Sequence, residues 1–232
     1  MNKKNAVVLL SGGQDSSTCL FWAKKEFQEV VAIGFDYGQK HVRELTQARK
    51  IASLVGVDYK IFDIRNLLGE SSLTNHSLNH NQQSPRDENL PASFTPGRNI
   101  LFLSLAGSFA YEKGFGNIVT GACQTDYSGY PDCRFDFIQQ MEVTLNYGLF
   151  DDRDVNYGEP ALKIHTPLMY KTKAETFKLA KDLDVLDIII KETVTDYNGD
   201  STENEWGMGV ENNPASVIRA KGFQEAKEKG WI

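Results

Sequence analysis

Cysteine is scarce in this chain and poorly placed for chemistry. Cys19, Cys123 and Cys133 are odd in number and form no CxxC pair, so they supply neither a disulfide framework nor a four-thiolate zinc site. Basic excess is also missing, since 25 Lys and Arg stand against 31 Asp and Glu for a net charge of -6. Without a global positive field, nucleic acid and anionic membrane are poor partners and a small molecule is the better fit. Long apolar runs are lacking too. Met1-Asn2-Lys3-Lys4-Asn5 leads into only Ala6 to Leu10, too short for a signal-peptide core or a membrane span, and a cytoplasmic protein is expected. There is no GxGxxG fingerprint, which weakens a dinucleotide reading, and no GxxxxGK[ST] spacing for a lysine-assisted γ-phosphate cradle. No internal repeat is visible.

What is present suits one α/β domain with a small appendage: 232 residues, 41% hydrophobic and 24% charged. Ala6 to Leu10, Val30 to Phe35, Tyr59 to Ile64 and Asn117 to Thr120 read as strands. Val42 to Val55, Asn99 to Tyr111 and Phe135 to Leu149 read as helices between or after them. Strands alternating with helices predict a parallel sheet with crossover helices. Gly69 to Pro96 is polar and reads as a long surface loop and candidate lid, and Asp151 to Pro160 as an exposed insertion. Thr172 with Glu175 predicts a capping box opening a helix over Lys173 to Leu183, and Pro214 a last helix towards Lys229.

The first strand runs into Ser11-Gly12-Gly13-Gln14-Asp15-Ser16 and then a helix. Two glycines let the backbone turn tightly beside an anion, and the helix points its unpaired N–H groups and positive dipole end at the same place. Ser11, Ser16 and Ser17 add hydroxyl donors. Asp15 makes sense there as a magnesium ligand, as a helix cap, or as both.

That hexapeptide resembles the SGGxDS signature of the PP-loop, or N-type, ATP pyrophosphatases. Five blocks in order narrow the resemblance to the 7-cyano-7-deazaguanine synthase family: Ser11 to Leu20, Phe35-Asp-Tyr-Gly-Gln-Lys-His41, Pro96-Gly-Arg-Asn-Ile-Leu-Phe-Leu103, Gly121 to Arg134, and His165-Thr-Pro-Leu-Met169 followed by Lys173-Ala-Glu-Thr176. The resemblance implies a doubly wound, five-stranded parallel sheet of the adenine nucleotide alpha hydrolase type over residues 1–190, with a C-terminal extension over 191–232. It implies an ATP- and magnesium-dependent reaction of 7-carboxy-7-deazaguanine with ammonia. The acid is adenylated and converted to an amide, and a second ATP drives the amide to the nitrile. A homodimer is implied as well.

On this reading the nucleotide is held by Leu10, Ser11, Gly12, Gly13, Gln14, Asp15, Ser16, Ser17, Thr18, Cys19 and Leu20. Ser11, Asp15, Ser16, Arg98 and Lys173 are the catalytic candidates, because forming an acyl adenylate requires neutralising charge on the α-phosphate as pyrophosphate leaves. Arg98 and Asn99 offer a donor fork for phosphate or carboxylate. Lys173 is a cation at the end of a helix where the dipole disfavours one, which makes sense facing an anion. Gln124, Asp126, Tyr127, Tyr130, Asp132 and Arg134 mix acids, aromatics and a cation as a purine-like base would need. The plainer alternative for that block is a polar turn with a surface pair between Asp132 and Arg134. Cys123 and Cys133 show no adjacent base in sequence, and His41 and His165 read as structural.

The tail departs from the family, whose members carry four zinc-binding cysteines there. The corresponding positions are Asp196, Val210, Asn213 and Ser216, which cannot supply four sulfur or nitrogen ligands, so no zinc is expected and packing around Trp206, Met208 and Val210 is expected in its place. This change leaves alternatives open. The chain could stop at the amide, pass the activated deazaguanine to another amine, or serve as a silent nucleotide-binding partner. Another PP-loop ligase, such as a tRNA thiolase, would need catalytic cysteine pairs and a basic face, and neither is visible.

Overall fold

A computed structural model describes residues 1–39, 43–69, 71–75, 82–84, 87–125, 130–151, 160–196, 200 and 202–232. His41, Asp126, Tyr127, Tyr197, Asn198, Gly199 and most of the expected insertion after Asp151 lie outside the described residues. In chain order the elements are β1 (Asn2–Leu9), α1 (Gln14–Glu26), β2 (Glu29–Asp36), α2 (Arg43–Leu54), β3 (Asp58–Asp63), β4 (Gln83–Ser84), β5 (Asp87–Pro91), α3 (Arg98–Lys113), β6 (Phe115–Val119), α4 (Phe135–Leu149), β7 (Lys163–His165), α5 (Lys173–Asp182), α6 (Leu186–Glu192), β8 (Glu203–Asn204), β9 (Gly207–Met208) and α7 (Pro214–Glu228).

Five strands form one parallel sheet in the order β3-β2-β1-β6-β7. Ala6, Val7 and Val8 in β1 are each completely buried, which is why that strand reads as an unbroken apolar run: both faces are covered. Val7, Ile33 and Ile118 pack against Leu103 and Phe109 of α3 and Ile138 and Met141 of α4. On the other face Ala6 and Val8 pack against Leu20 and Ala23 of α1 and Ile51 and Ala52 of α2. The order reverses between β1 and β6, so a crevice opens beyond their carboxyl ends, the usual ligand position in such sheets.

The expected capping box is present at α5. Thr172 accepts from the Glu175 amide at 3.3 Å, and Glu175 accepts from the Thr172 amide at 2.7 Å. The described residues of the Gly69 to Pro96 segment hold more regular structure than a plain loop. It contains the antiparallel pair β4 and β5, and its ends are clasped by a 2.7 Å hydrogen bond between the buried Ser71 and Thr95 hydroxyls. Two-residue pairings and hydroxyl clasps leave no periodic trace in sequence. The helix α6 was likewise not anticipated.

A polar stitch crosses the middle of the sheet. The Asn117 amide of β6 donates to the carbonyls of Lys3 and Asn5 in β1 at 3.0 and 2.9 Å, and its oxygen lies 2.9 Å from His165 Nε2 in β7. His165 also sits against Trp22 and Phe27. Burial, with help from Lys163, pushes its pKa from 6.5 down to about 4, so folding selects the neutral ring, which donates from Nε2. This stability is complete above the unfolded pKa of 6.5 and is lost as pH falls through 6.5 towards 4. In urea unfolding at pH 7 and pH 5, His165→Gln should therefore lose less stability between the two conditions than the unaltered protein. Equal losses would contradict the assignment.

Candidate active site

The crevice begins where β1 ends. The Leu10 amide is still bonded to the Ile33 carbonyl at 2.8 Å, and Ser11-Gly12-Gly13 then turns the chain into α1. Gly13 is the N-cap and no side chain caps the helix, so the first-turn amides, which have no partner within a helix, face the crevice. Ser11 and Ser16 join hydroxyls at 3.0 Å, and the Ser11 amide donates to Ser16 Oγ at 3.2 Å. Gly12 has a φ of 89° and no space for a side chain: an added Cβ would lie 2.5 Å from the Glu44 carbonyl oxygen and 2.8 Å from the Ala48 nitrogen of α2. Its own carbonyl accepts from the Val194 amide at 3.2 Å.

Asp15 and Lys173 meet across this loop. Lys173 Nζ donates to both carboxylate oxygens, at 2.9 and 2.8 Å, although α1 and α5 are 158 residues apart in these positions. The Lys173 side chain is 9% exposed and that of Asp15 31%. The lysine at a helix start thus faces an anion, as its position suggested, and in this state the anion is Asp15.

Two lobes share the wall formed by Ser11, Asp15, Glu44, Arg98, Gly121 and Cys133. The inner lobe, about 290 Å³, reaches between the strand ends to Leu9, Leu10, Ile33, Phe35 and Phe102. The outer lobe, about 530 Å³, is bounded by Asn89 and Ser93 of the hairpin segment, Tyr130, Lys173, Thr195 and Ile218. The stretch expected to be a lid therefore contributes to the outer wall.

The structure sorts the predicted residues. Leu10, Ser11, Gly13, Asp15 and Ser16 line the lobes. Gln14, Ser17, Thr18, Cys19 and Leu20 are buried behind the loop, and no hydrogen bond is made by either polar atom of the Gln14 side chain or by Ser17 Oγ. Arg98, the first residue of α3, borders both lobes, Asn99 the inner one and Tyr130 the outer one. Arg98 lies 5.8 Å from the Tyr130 ring centroid. Burial pulls its pKa down, but Tyr37, Tyr130, Asp132 and Cys133 around it outweigh that and hold it firmly charged.

Asp132, Gln124 and Arg134 line neither lobe. Asp132 is buried and accepts from the Asn99 amide at 3.0 Å, which caps α3 from outside its own segment. Gln124 Oε1 accepts from the Phe135 amide at 2.9 Å and does the same for α4. Arg134 is exposed. The surface pair weighed between Asp132 and Arg134 is not what this turn contains. Cys133 is pushed up to about 12 by burial and by Asp132, and burial raises Cys19 as well, so both remain thiols rather than nucleophiles.

Sequence reasoning missed Glu44. It borders both lobes, and burial, partly opposed by Arg98, raises its carboxyl from 4.5 to about 7. Nothing local marks it out, since an acid in the first turn of a helix is the ordinary dipole-favoured choice. Only the packing of α2 under Gly12 reveals it.

The tail, which gives Val194, Thr195, Pro214, Ala215 and Ile218 to the outer lobe, is gathered around one buried carboxylate. Asp196 Oδ2 accepts from the Val210 amide at 3.1 Å, the Asn213 side chain at 2.8 Å and the Ser216 hydroxyl at 3.0 Å. All four positions aligned with the family's zinc ligands thus converge, but on one another. A carboxylate, a backbone amide, a carboxamide and a hydroxyl do not form a zinc donor set, and no cluster of three His, Cys, Asp or Glu exists among the described residues. Nearby, the fully buried Arg219 donates to the carbonyls of Trp206, Thr193 and Ile189 and to Thr195 Oγ1, at 2.8 to 3.2 Å. Burial lowers its pKa to about 10. Of the residues expected to pack, Trp206 joins Phe177, Ala220 and Phe223 in a small core.

Comparison with known proteins gives a consistent result. The family described as queuosine biosynthesis protein QueC matches residues 5–227. A 7-cyano-7-deazaguanine synthase from Phocaeicola vulgatus is 47% identical over 230 residues, covering 98% of this chain and 96% of the relative. Proteins of the same name from Bacteroides fragilis and Clostridium botulinum are 47% and 45% identical over 231 residues, with 99% of each chain covered.

Replacing Asp196 by Asn would set an NH₂ group among donors and remove a charged acceptor. We expect a loss of about 2 kcal/mol in denaturant unfolding. A change within error would show that the three contacts to Asp196 Oδ2 contribute nothing.

Proposed function

The chain belongs to the family of queuosine biosynthesis protein QueC, and from that premise we propose that it converts 7-carboxy-7-deazaguanine and ammonia to 7-cyano-7-deazaguanine, with ATP split to AMP and pyrophosphate. The observation that carries the reading is a two-lobed crevice with the phosphate loop at its waist. An acyl transfer through AMP needs both partners beside one α-phosphate, and this shape can seat a nucleotide and a flat heterocycle on either side of it.

The apolar inner lobe suits the adenosine, and the outer lobe, with Tyr130, Ser93 and Asn89, suits the deazaguanine. The substrate carboxylate attacks the α-phosphorus and pyrophosphate leaves. Charge that develops there is met by the first-turn amides of α1, the hydroxyls of Ser11 and Ser16, and the Arg98 guanidinium. Asp15 is the carboxylate on the loop that would hold a magnesium ion, which would supply charge neutralisation to the phosphate oxygens. The ion pair with Asp15 holds Lys173 Nζ at the loop, where it would also face the phosphates. Ammonia then displaces AMP, and a second adenylation activates the amide oxygen for loss as the nitrile forms.

The tail is read as metal-free, with Asp196 standing where a zinc ion would otherwise draw four ligands together. A homodimer is also expected from the resemblance. No helix among the described residues is long and apolar enough to cross a membrane. A second reading, that the product is the amide or another conjugate, is favoured by one observation: the altered tail supplies Thr195, Pro214 and Ile218 to the outer lobe.

Pyrophosphate release measured with and without the acid and ammonia, with the product mass read in the same tube, tests both readings. Release dependent on the acid together with the nitrile mass supports the first, whereas the amide mass as end product supports the second. ATP binding without acid-dependent release would reduce the chain to a nucleotide-binding protein. Lys173→Met should lower kcat by about 100-fold, the scale for one lost transition-state donor. For the tail, elemental analysis is expected to find no zinc, and one zinc per chain would sink that part.

A further inference from the structure

Glu44 has no part in the chemistry described so far, yet it occupies the waist of the crevice. The contact between Gly12 and the Glu44 carbonyl fixes the first turn of α2 against the phosphate loop, and burial of Leu45 and Ala48 anchors the helix below it. The Glu44 side chain is thereby held on the wall of both lobes with Ser11, Asp15 and Arg98. The charged and titratable groups around it are Arg98 from α3, Tyr37 beyond β2 and Tyr59 from β3, with Asp15 and Cys133 on the shared wall and Lys173 on the outer lobe. Among the described residues it makes no hydrogen bond or ion pair that would fix its carboxylate elsewhere.

This inference rests on the synthase reading. The other polar side chains at the waist suit an anion: Ser11, Ser16, Arg98 and Lys173 donate, and Asp15 is held by Lys173. Aminolysis has the opposite need. As the nitrogen lone pair forms the C–N bond to the acyl carbon, the nitrogen becomes positively charged and must lose a proton before the adduct collapses towards amide. We propose that the Glu44 carboxylate is the base that takes this proton from the attacking nitrogen.

The step balances without a further reagent. One N–H proton passes to a Glu44 carboxylate oxygen, the C–O bond to the phosphate breaks with its electron pair leaving on AMP, and Glu44 returns the proton to water before the next turnover. Burial suits the group to the task. A carboxyl raised to about 7 keeps a proton long enough for collapse and still releases it near neutral pH.

The test separates the two half-reactions. ATP–pyrophosphate exchange driven by 7-carboxy-7-deazaguanine without ammonia reads adenylation, and amide formation after ammonia is added reads aminolysis. Glu44→Gln is expected to retain exchange, which also shows that the variant folds, and to lower ammonia-dependent amide formation by about 100-fold. Hydroxylamine, a stronger nucleophile that is largely uncharged at neutral pH, should narrow that gap, and Glu44→Asp should recover part of the rate. If Glu44→Gln does not fold, Glu44→Asp carries the test by slowing aminolysis more than exchange. Equal losses in both half-reactions, or undiminished aminolysis, would overturn the assignment of Glu44 alone. Absence of exchange in the unaltered protein would instead overturn the synthase reading, and this inference with it.

Discussion

Backbone lies against backbone where the phosphate loop crosses α2, and much of the rest follows from that contact. Gly12 approaches the Glu44 carbonyl so closely that a methyl group cannot be placed between them. The loop is therefore aimed by the helix beneath it rather than by its own sequence alone. The same residue accepts from the Val194 amide, which brings the chain leaving α6 to the mouth of the crevice. One glycine thus ties together the sheet, the second helix and the start of the tail.

The ion pair between Asp15 and Lys173 closes the other side. Lys173 is held from behind by α7, where a Cβ on Gly222 would come within 2.6 Å of the Lys173 Cβ. That helix is in turn secured by Arg219 and by Asn213, which caps it by accepting from the Ser216 amide at 3.1 Å. The tail is accordingly part of the support for a charged group of the site, although most of it lies far from the phosphate loop in sequence. Its polar contacts saturate a carboxylate and a guanidinium that would be costly to bury otherwise.

Much of this was legible in the chain itself. The apolar run ending at Ser11-Gly12-Gly13 announced the strand, the turn and the helix after it, because each depends on residues adjacent in sequence. Thr172 and Glu175 gave the capping box for the same reason. Legibility failed where an interaction spans distant segments. Asp132 and Gln124 looked like base-reading groups, and both instead cap helices begun elsewhere; a carboxylate aimed at a helix and one aimed at a ligand are identical letters. Glu44 was invisible because its significance comes entirely from what packs above it. At Asp196 the loss of thiolates could be read, but the hydrogen bonds that draw the four positions together could not.

The outer lobe has walls from the β4–β5 hairpin segment, Lys173, the strand-like passage at Val194 and Thr195, and the first turns of α7. Those segments span well over a hundred residues of chain, and of them Lys173 and α7 already pack directly against each other. A molecule filling that space touches all of them at once. Its affinity would therefore be coupled to their assembly, because whatever binds only the folded arrangement stabilises it. A ligand held there would also act as a structural member, joining the hairpin segment to α5 and α7.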